Sequence, residues 1–296
     1  MLFRSLVLKV VLDPAARAAA LEAGEVDIGA TPVPYGDIER FKLDKRFVVD
    51  TTTYAYSGPQ QQLFFNFDTQ ILQDRRVRKA IAHAIDHRAL VNVVFFGYGL
   101  ISPSPVSTAL PKFYDPKIQA WSFDPKAGDQ LLDEAGLKRG AGGIRAKLRL
   151  TQNPFLPASF ADFLRNSLRR IGLDIEILRY DLATYLNVVY RDRAFDLTIE
   201  SLSNTFDPTL GVQRAYWSKN FRIGLPFSNA AHYSNPEVDQ LLEAAAIEPD
   251  AEKRRAIWSK FQSIVHEEVA SVDIVAAGGV IIANRKVRNL DRKSVV

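Results

Sequence analysis

An α/β fold is predicted, and three observations predict it. Ile144, Ala146, Leu148 and Leu150 alternate with Arg145, Lys147 and Arg149, the period-2 pattern of a strand with one wet face. Phe160, Phe163, Leu164, Leu168 and Ile171 then recur at helical spacing up to Gly172, and Ile175 and Ile177 alternate with Asp174 and Glu176 in a second strand. Strand, helix and strand of this length imply parallel pairing through a right-handed crossover. The second observation is punctuation: Asp13-Pro14, Asp124-Pro125 and Asn235-Pro236 each join an N-cap to a proline at the first helical position. The third is the apolar run Leu63, Phe64 and Phe65, of strand length and followed by a capped helix.

Taken in order, residues 5–12 read as a strand. Asp13 caps a helix of strong formers that Gly24 ends. Val26, Asp27 and Ile28 read as a short strand, 35–43 as a short helix and 47–56 as β-rich. Gly58-Pro59 breaks the chain before the 63–65 strand. Asp74 caps a helix whose apolar face is Val77, Ile81, Ala84 and Ile85, and Asp86 caps another with Leu90, Val93 and Val94, stopped by Gly97. Pro103, Pro105 and Pro111 keep 101–115 extended. Leu131, Leu132 and Ala135 mark the helix after Asp124, closed by Gly136. A helix with Leu182, Tyr185, Leu186 and Val189 and a strand over 195–199 follow the βαβ unit. Regular periodicity is lost from Ser201 to Tyr233, a length more often functional than accidental. Two capped helices follow, one with Val238, Leu241, Leu242 and Ala245, the other with Ile257, Trp258, Phe261, Ile264 and Val265. Residues 272–287 are apolar and strand-like.

Composition bounds the function. The chain has 296 residues, 47% hydrophobic and 24% charged, with net charge +4 from 38 basic and 34 acidic residues. The basic groups are interspersed with acids and lack a stacking-aromatic motif, which argues against a nucleic-acid partner. With no cysteine there is no thiolate metal site, cysteine nucleophile or disulfide. The longest apolar run near the end, 274–283, is far short of the roughly 20 residues of a membrane span. The first residues do not form a signal peptide, because Arg4 and Lys9 break the apolar stretch and no cleavage site follows.

Several of these segments carry a resemblance. Val77-Arg78-Lys79-Ala80-Ile81 and Ala84-Ile85-Asp86-His87-Arg88-Ala89-Leu90-Val91, behind a strand ending in Phe65-Asn66, are similar to the helix pair of the peptide/nickel class (family 5) of extracellular solute-binding proteins, the receptors that feed ABC importers. Gly24-Glu25-Val26-Asp27-Ile28, Phe123-Asp124-Pro125-Lys126-Ala127 and the Asn235 and Asp250 helices resemble other segments of the same family. The resemblance implies a periplasmic-binding-protein-like architecture of two lobes. It covers nearly the whole chain but only the later half of the family's protein. The implied division is a partial lobe I over 1–62, a complete α/β lobe II over 63–274, and return strands to lobe I over 275–296.

In the family a Trp-x-x-Asp-x-x-x-Pro motif sets an aspartate against the α-ammonium of a peptide. Counted back from Asp207-Pro208, this chain has Asn204 at the aspartate and Ser201 at the tryptophan. Asparagine is neutral and cannot balance an ammonium; Asp207 or Glu200 are the nearby acids that could. Ligand contacts are expected from Asn204, Asp207, Arg214, Tyr216 and Trp217 of the irregular segment. Gln61 and Gln62, which with Gln60 border the crossover strand, are expected to add side-chain amides. His83 and His87 stand four apart, a metal-compatible spacing, without the acid that completes a zincin motif, and His232 lies nearer the expected cleft. The sequence nominates no catalytic pair, metal or cofactor.

The resemblance therefore implies the substrate-binding component of an ABC transporter. It would capture a small peptide or peptide-like solute and present it to a membrane permease, without chemistry. The protein would be a monomer in full-length form, periplasmic or attached at the cell surface, with its signal peptide in a part that precedes this sequence. Two alternatives use similar scaffolds: the ligand-sensing domain of a regulator, and an α/β hydrolytic enzyme.

Overall fold

The computed structural model describes residues 5–11, 13–31, 33–51, 59–277 and 279–288. Its strands are β1 (Ile28–Ala30), β2 (Phe47–Asp50), β3 (Pro59–Phe65), β4 (Leu100–Ile101), β5 (Ala146–Gln152), β6 (Leu173–Leu178), β7 (Leu197–Ser203), β8 (Ser271–Ala276) and β9 (Ile281–Asn284). Two compact units divide the chain, one of residues 1–54 with 278–296 and one of residues 55–277.

The first unit is built on an antiparallel sheet in the order β1-β9-β2. The helix Pro14–Glu22 starts where the sequence places it, with the Asp13 carboxylate accepting from Ala16 N at 2.7 Å and Pro14 in the first turn. Its Ala18 and Leu21 are buried, as are Ile38 and Phe41 of the helix Ile38–Leu43. Phe41 meets Phe47 of β2 edge to face at 5.1 Å. Two strand expectations shift. Residues 26–28 contribute only Ile28, and β1 runs on to Ala30. β2 stops at Asp50, and 52–56 lie outside the described residues. A third is not met: residues 5–11 form no strand, and Leu6, Val7, Leu8 and Val10 are exposed (Leu12 lies outside the described residues). Strand propensity is realised only where a neighbouring strand takes up the backbone bonds, and neither β1 nor β2 pairs with this segment.

The second unit is a six-stranded mixed sheet in the order β4-β8-β3-β7-β5-β6. β5 runs parallel to β6 and β7, and the remaining pairs are antiparallel. The βαβ reading is therefore met, with the helix Ser159–Arg170 as the crossover. Gly172 ends that helix with φ of +81°. A Cβ there would lie 2.8 Å from the Gly143 carbonyl oxygen, so both conformation and space demand glycine. The next helix, Leu182–Leu186, passes into a π-turn over Asn187–Arg191.

The helices Arg75–His83 and His87–Val94 are capped by Asp74, accepting from Arg76 N at 2.8 Å, and by Asp86, accepting from Ala89 N at 2.9 Å. Val77, Ala80, Ile81, Leu90 and Val94 face the interior. Arg78 is buried among them. Its guanidinium donates to the carbonyls of Leu72, Gln73, Glu268 and Val269 at 2.7–2.9 Å and lies 4.7 Å over the Phe67 ring. These carbonyls include the end of the helix Ala251–Glu268, which finishes with Val269 at φ 49°, so the cation meets the negative pole of that helix. Burial pulls the Arg78 guanidinium down to about 10, against the opposing charges of Glu268 and Tyr233.

His83 and His87 do not share a helix face. The first helix ends at His83 and a new one starts after Asp86. His87 is buried against the Asp273 carbonyl at 3.3 Å, whereas His83 bonds Ser122 O at 2.9 Å.

Three other boundaries differ from the sequence reading. β3 begins at Pro59, a position where a strand tolerates proline, so Gln60, Gln61 and Gln62 lie inside the strand rather than beside it. β7 reaches Ser203, so irregular structure starts only at Asn204. The apolar stretch 272–287 divides into β8 and β9, which belong to different sheets. The main core of the second unit packs Phe64, Leu202, Tyr216, Tyr233, Trp258 and Phe261, with Tyr216 edge-on to Phe261 at 5.5 Å.

Candidate functional site

Because β5, β6 and β7 are parallel, the loops that leave their C-terminal ends gather at one edge of the sheet. In open α/β sheets this is the edge where ligands bind. These loops hold exposed apolar side chains: Phe155 (74% exposed) after β5, Leu182 after β6, and Phe206 (70%) and Leu210 (68%) after β7. β3 runs the other way, and its Pro59 pairs with Ser203 at the same edge. Three non-glycine residues of the irregular segment, Thr205, Phe227 and His232, hold left-handed backbone with φ between 55° and 60°. Such strain persists only where the surroundings enforce it.

Behind this edge lies a buried acid, Glu200 of β7. Its carboxylate accepts from Tyr185 Oη at 2.5 Å, Tyr190 Oη at 2.9 Å, Asn153 Nδ2 at 3.0 Å and Ser201 N at 3.3 Å. Burial raises its pKa, and the hydrogen bonds only partly offset that. The same burial holds the Tyr185 and Tyr190 hydroxyls well above their ordinary values. Glu200 and Tyr190 border a cavity of about 20 Å³ closed by Phe64, Leu202 and Ala215, room for about one water.

The residues singled out from sequence fall into two groups. Most spend their polar atoms on the frame. Asn204 is buried, and its Oδ1 accepts from Ser107 N at 2.5 Å, tying the proline-rich loop to the end of β7. Asp207 caps the helical turn Pro208–Gly211 and takes a two-pronged bond from Arg254 at 2.6 Å on each oxygen. Burial, the largest single effect, opposes its charge, but the bonds and charge of Arg254 together with the Thr209 bonds keep the carboxyl below its usual range. Gln61 donates to Ser201 Oγ at 3.0 Å and accepts from Ala277 N at 2.9 Å. Gln62 donates to Tyr216 Oη at 2.8 Å and to Asp273 Oδ1 at 2.5 Å, and Tyr216 also bonds Ser271 Oγ at 2.7 Å. In this closed network burial pushes the Asp273 carboxyl up to about 7. The second group is less committed. Trp217 is half-buried and donates to Glu243 at 2.9 Å. Arg214 is half-buried and spends only Nε, on Gly211 O at 3.0 Å.

His232 pairs with Asp68 at 2.9 Å and stacks on Phe221 at 3.7 Å. Among the described residues no cluster of three or more His, Asp or Glu side chains could hold a metal ion. Sequence reasoning missed Arg254 as the partner of Asp207, because 47 residues separate them and nothing local marks the pair. It also missed the tyrosines around Glu200, for which the signal was a single acid in the strand Leu197–Ser203, next to apolar Ile199.

The family model of bacterial extracellular solute-binding proteins, family 5 Middle, matches residues 2–222. The chain belongs to this family. Among curated relatives, it is 28% identical over 261 residues to a putative ABC transporter peptide-binding protein of Brucella ovis, spanning 85% of this chain and 46% of that protein. Among solved structures, the Helicobacter pylori periplasmic binding protein DppA in complex with the peptide STSA aligns with a TM-score of 0.84 at 23% identity, over 95% of this chain and 52% of that one. NikZ of Campylobacter jejuni in complex with Ni(L-His) aligns at 0.82 and 20% identity, over 96% and 57%. The α/β, periplasmic-binding-protein-like fold is thereby shown, and the chain spans about half the length of the proteins it matches. No described helix is long and apolar enough to cross a membrane.

Proposed function

We propose that this chain is the solute-capturing part of an ABC importer's binding component, acting on small peptides or peptide-like solutes and delivering them to a membrane permease. The observation that carries the reading is the family match over residues 2–222, which spans the whole sheet edge where β5, β6 and β7 end. Exposed Phe155, Phe206 and Leu210 at that edge suit an apolar solute body. Capture involves no turnover; binding shifts a conformational equilibrium that the permease reads. In this reading Arg214 and Trp217 meet the ligand, while Asn204, Asp207, Tyr216, Gln61 and Gln62 hold the loops that present them. The protein works in the periplasm or at the cell surface, as a monomer in its full-length form, with a partial lobe over 1–62, the capturing lobe over 63–274 and return strands over 275–296.

Mass spectrometry of solutes co-purified with the protein tests the reading. The expected result is a small peptide or peptide-like compound, recovered unchanged after incubation. Conversion of that compound by the pure protein would point to an enzyme, and a helix-turn-helix segment in the same polypeptide would point to a regulator.

A further inference from the structure

The sunken arginines of the second unit nearly all have their partners built in. Arg78 holds four carbonyls. Arg145 holds Asp129, Asp133 and the Leu137 carbonyl. Arg193 holds Asp68, Asn66 and the Ala230 carbonyl. Arg254 holds Asp207, Thr209 and the Ala245 carbonyl.

Arg214 differs from all of them. One of its five donors is used, on a carbonyl three residues back, and its guanidinium carbon sits 5.7 Å from the centre of the Phe227 ring. Among the described residues no carboxylate lies within ion-pair distance of it. Glu200 and Tyr190 act on it only through space, and burial, the larger effect, pulls its pKa down. A half-buried cation with four free donors against an aromatic face is built to receive a planar anion in two-pronged fashion.

The acids show the reverse. A ligand ammonium needs a carboxylate with spare acceptor capacity. Asp207 is taken by Arg254, and Glu200 is enclosed by four donors. Position 204 is a neutral amide bonded to Ser107 N.

We infer that the solute bound at this sheet edge is anchored through a carboxylate held by Arg214 against the Phe227 ring, and that it needs no free ammonium. The inference rests on the solute-binding reading above and narrows it to solutes that carry a carboxylate, among them amino-blocked peptides and small organic acids.

Calorimetric titration of the whole chain at low salt separates the possibilities, with trialanine, N-acetyl-trialanine and trialanine amide as probes. The acetylated peptide is expected to bind like trialanine, and the amide at least about tenfold more weakly, the value of one charge-assisted pair. Arg214→Gln should erase the difference between acid and amide, and Arg214→Lys should restore part of it. Equal binding of acid and amide, or loss of binding on acetylation, overturns the inference. If no tripeptide binds, succinate decides. A succinate-induced shift of the Arg214 Nε–H resonance, with heat of binding that vanishes in Arg214→Gln, keeps the anionic anchor while the peptide reading falls. No Arg214-dependent response to succinate overturns the anchor itself.

Discussion

The helix pair around Arg78 and the segment around Arg214 treat a sunken cation in opposite ways. Around Arg78, caps, apolar faces and carbonyl partners are all satisfied within the chain, and the arginine is a fastener between the end of one helix and the start of another. Around Arg214, the backbone is strained at Thr205 and Phe227, large apolar side chains face outward, and most of the cation's donors are unspent. A region that satisfies itself specifies shape. A region left partly unsatisfied is one that a second molecule can complete.

This contrast can be broken at several points. The largest expected effect is that of Arg78→Ala, which strips four carbonyls of their donor, those of Leu72 and Val269 in buried bonds and those of Gln73 and Glu268 in partly buried ones. The cost should be about 3–5 kcal/mol of stability by chemical denaturation. A loss under about 1 kcal/mol would mean that Arg78 is no fastener.

Asp273 gives the next largest. Its carboxyl keeps its proton in the folded chain up to about pH 7, whereas its ordinary value is 3.8. Between these values the folded state binds the extra proton. Stability attributable to this group is therefore complete below about pH 4, falls as pH rises, and is fully lost above about pH 7. The shift corresponds to a penalty on the order of 4 kcal/mol. Asp273→Asn should be matched with the parent at pH 4, gain on it steadily up to about pH 7 and level off above that. A pH-independent difference would show that the Gln62–Asp273 network is wetter than its burial implies.

Asp207→Asn should have the smallest effect, about 2 kcal/mol, because the Arg254 bond is charge-assisted but only partly buried. It should leave ligand affinity intact if Asp207 is frame rather than site. A larger loss in affinity than in stability would move Asp207 to the ligand's side of the comparison.

Much of the frame was legible in the residues. Asp13, Asp74, Asp86, Asp124, Asn235 and Asp250 all cap the helices assigned to them, since a cap is a local bargain between one side chain and the next turn. The parallel β5 and β6 were legible for the same reason: alternation and helical spacing are short-range signals. What the sequence hides is long-range. Gln60, Gln61 and Gln62 look like a polar border, yet they lie in the middle of the sheet because Ser102, Ser201, Tyr216 and Asp273, remote in sequence, supply their partners. Residues 5–11 carry strand propensity without a paired neighbour. At the candidate site, the Asp207-Pro208 motif points to a segment but not to the state of its charges, which depends on Arg254 and on the tyrosines that close over Glu200.

The division of the last apolar stretch bears on how the chain reaches this structure. β8 lies between β4 and β3, and β9 lies between β1 and β2, so each sheet receives an interior strand from the final 26 residues, 271–296. During synthesis neither sheet can close until residues 271–284 have been made. Until then, β3 and β2 present open edges, waiting for strands more than two hundred residues away. A stop codon placed just before Ser271 would remove the interior strand of both sheets at once.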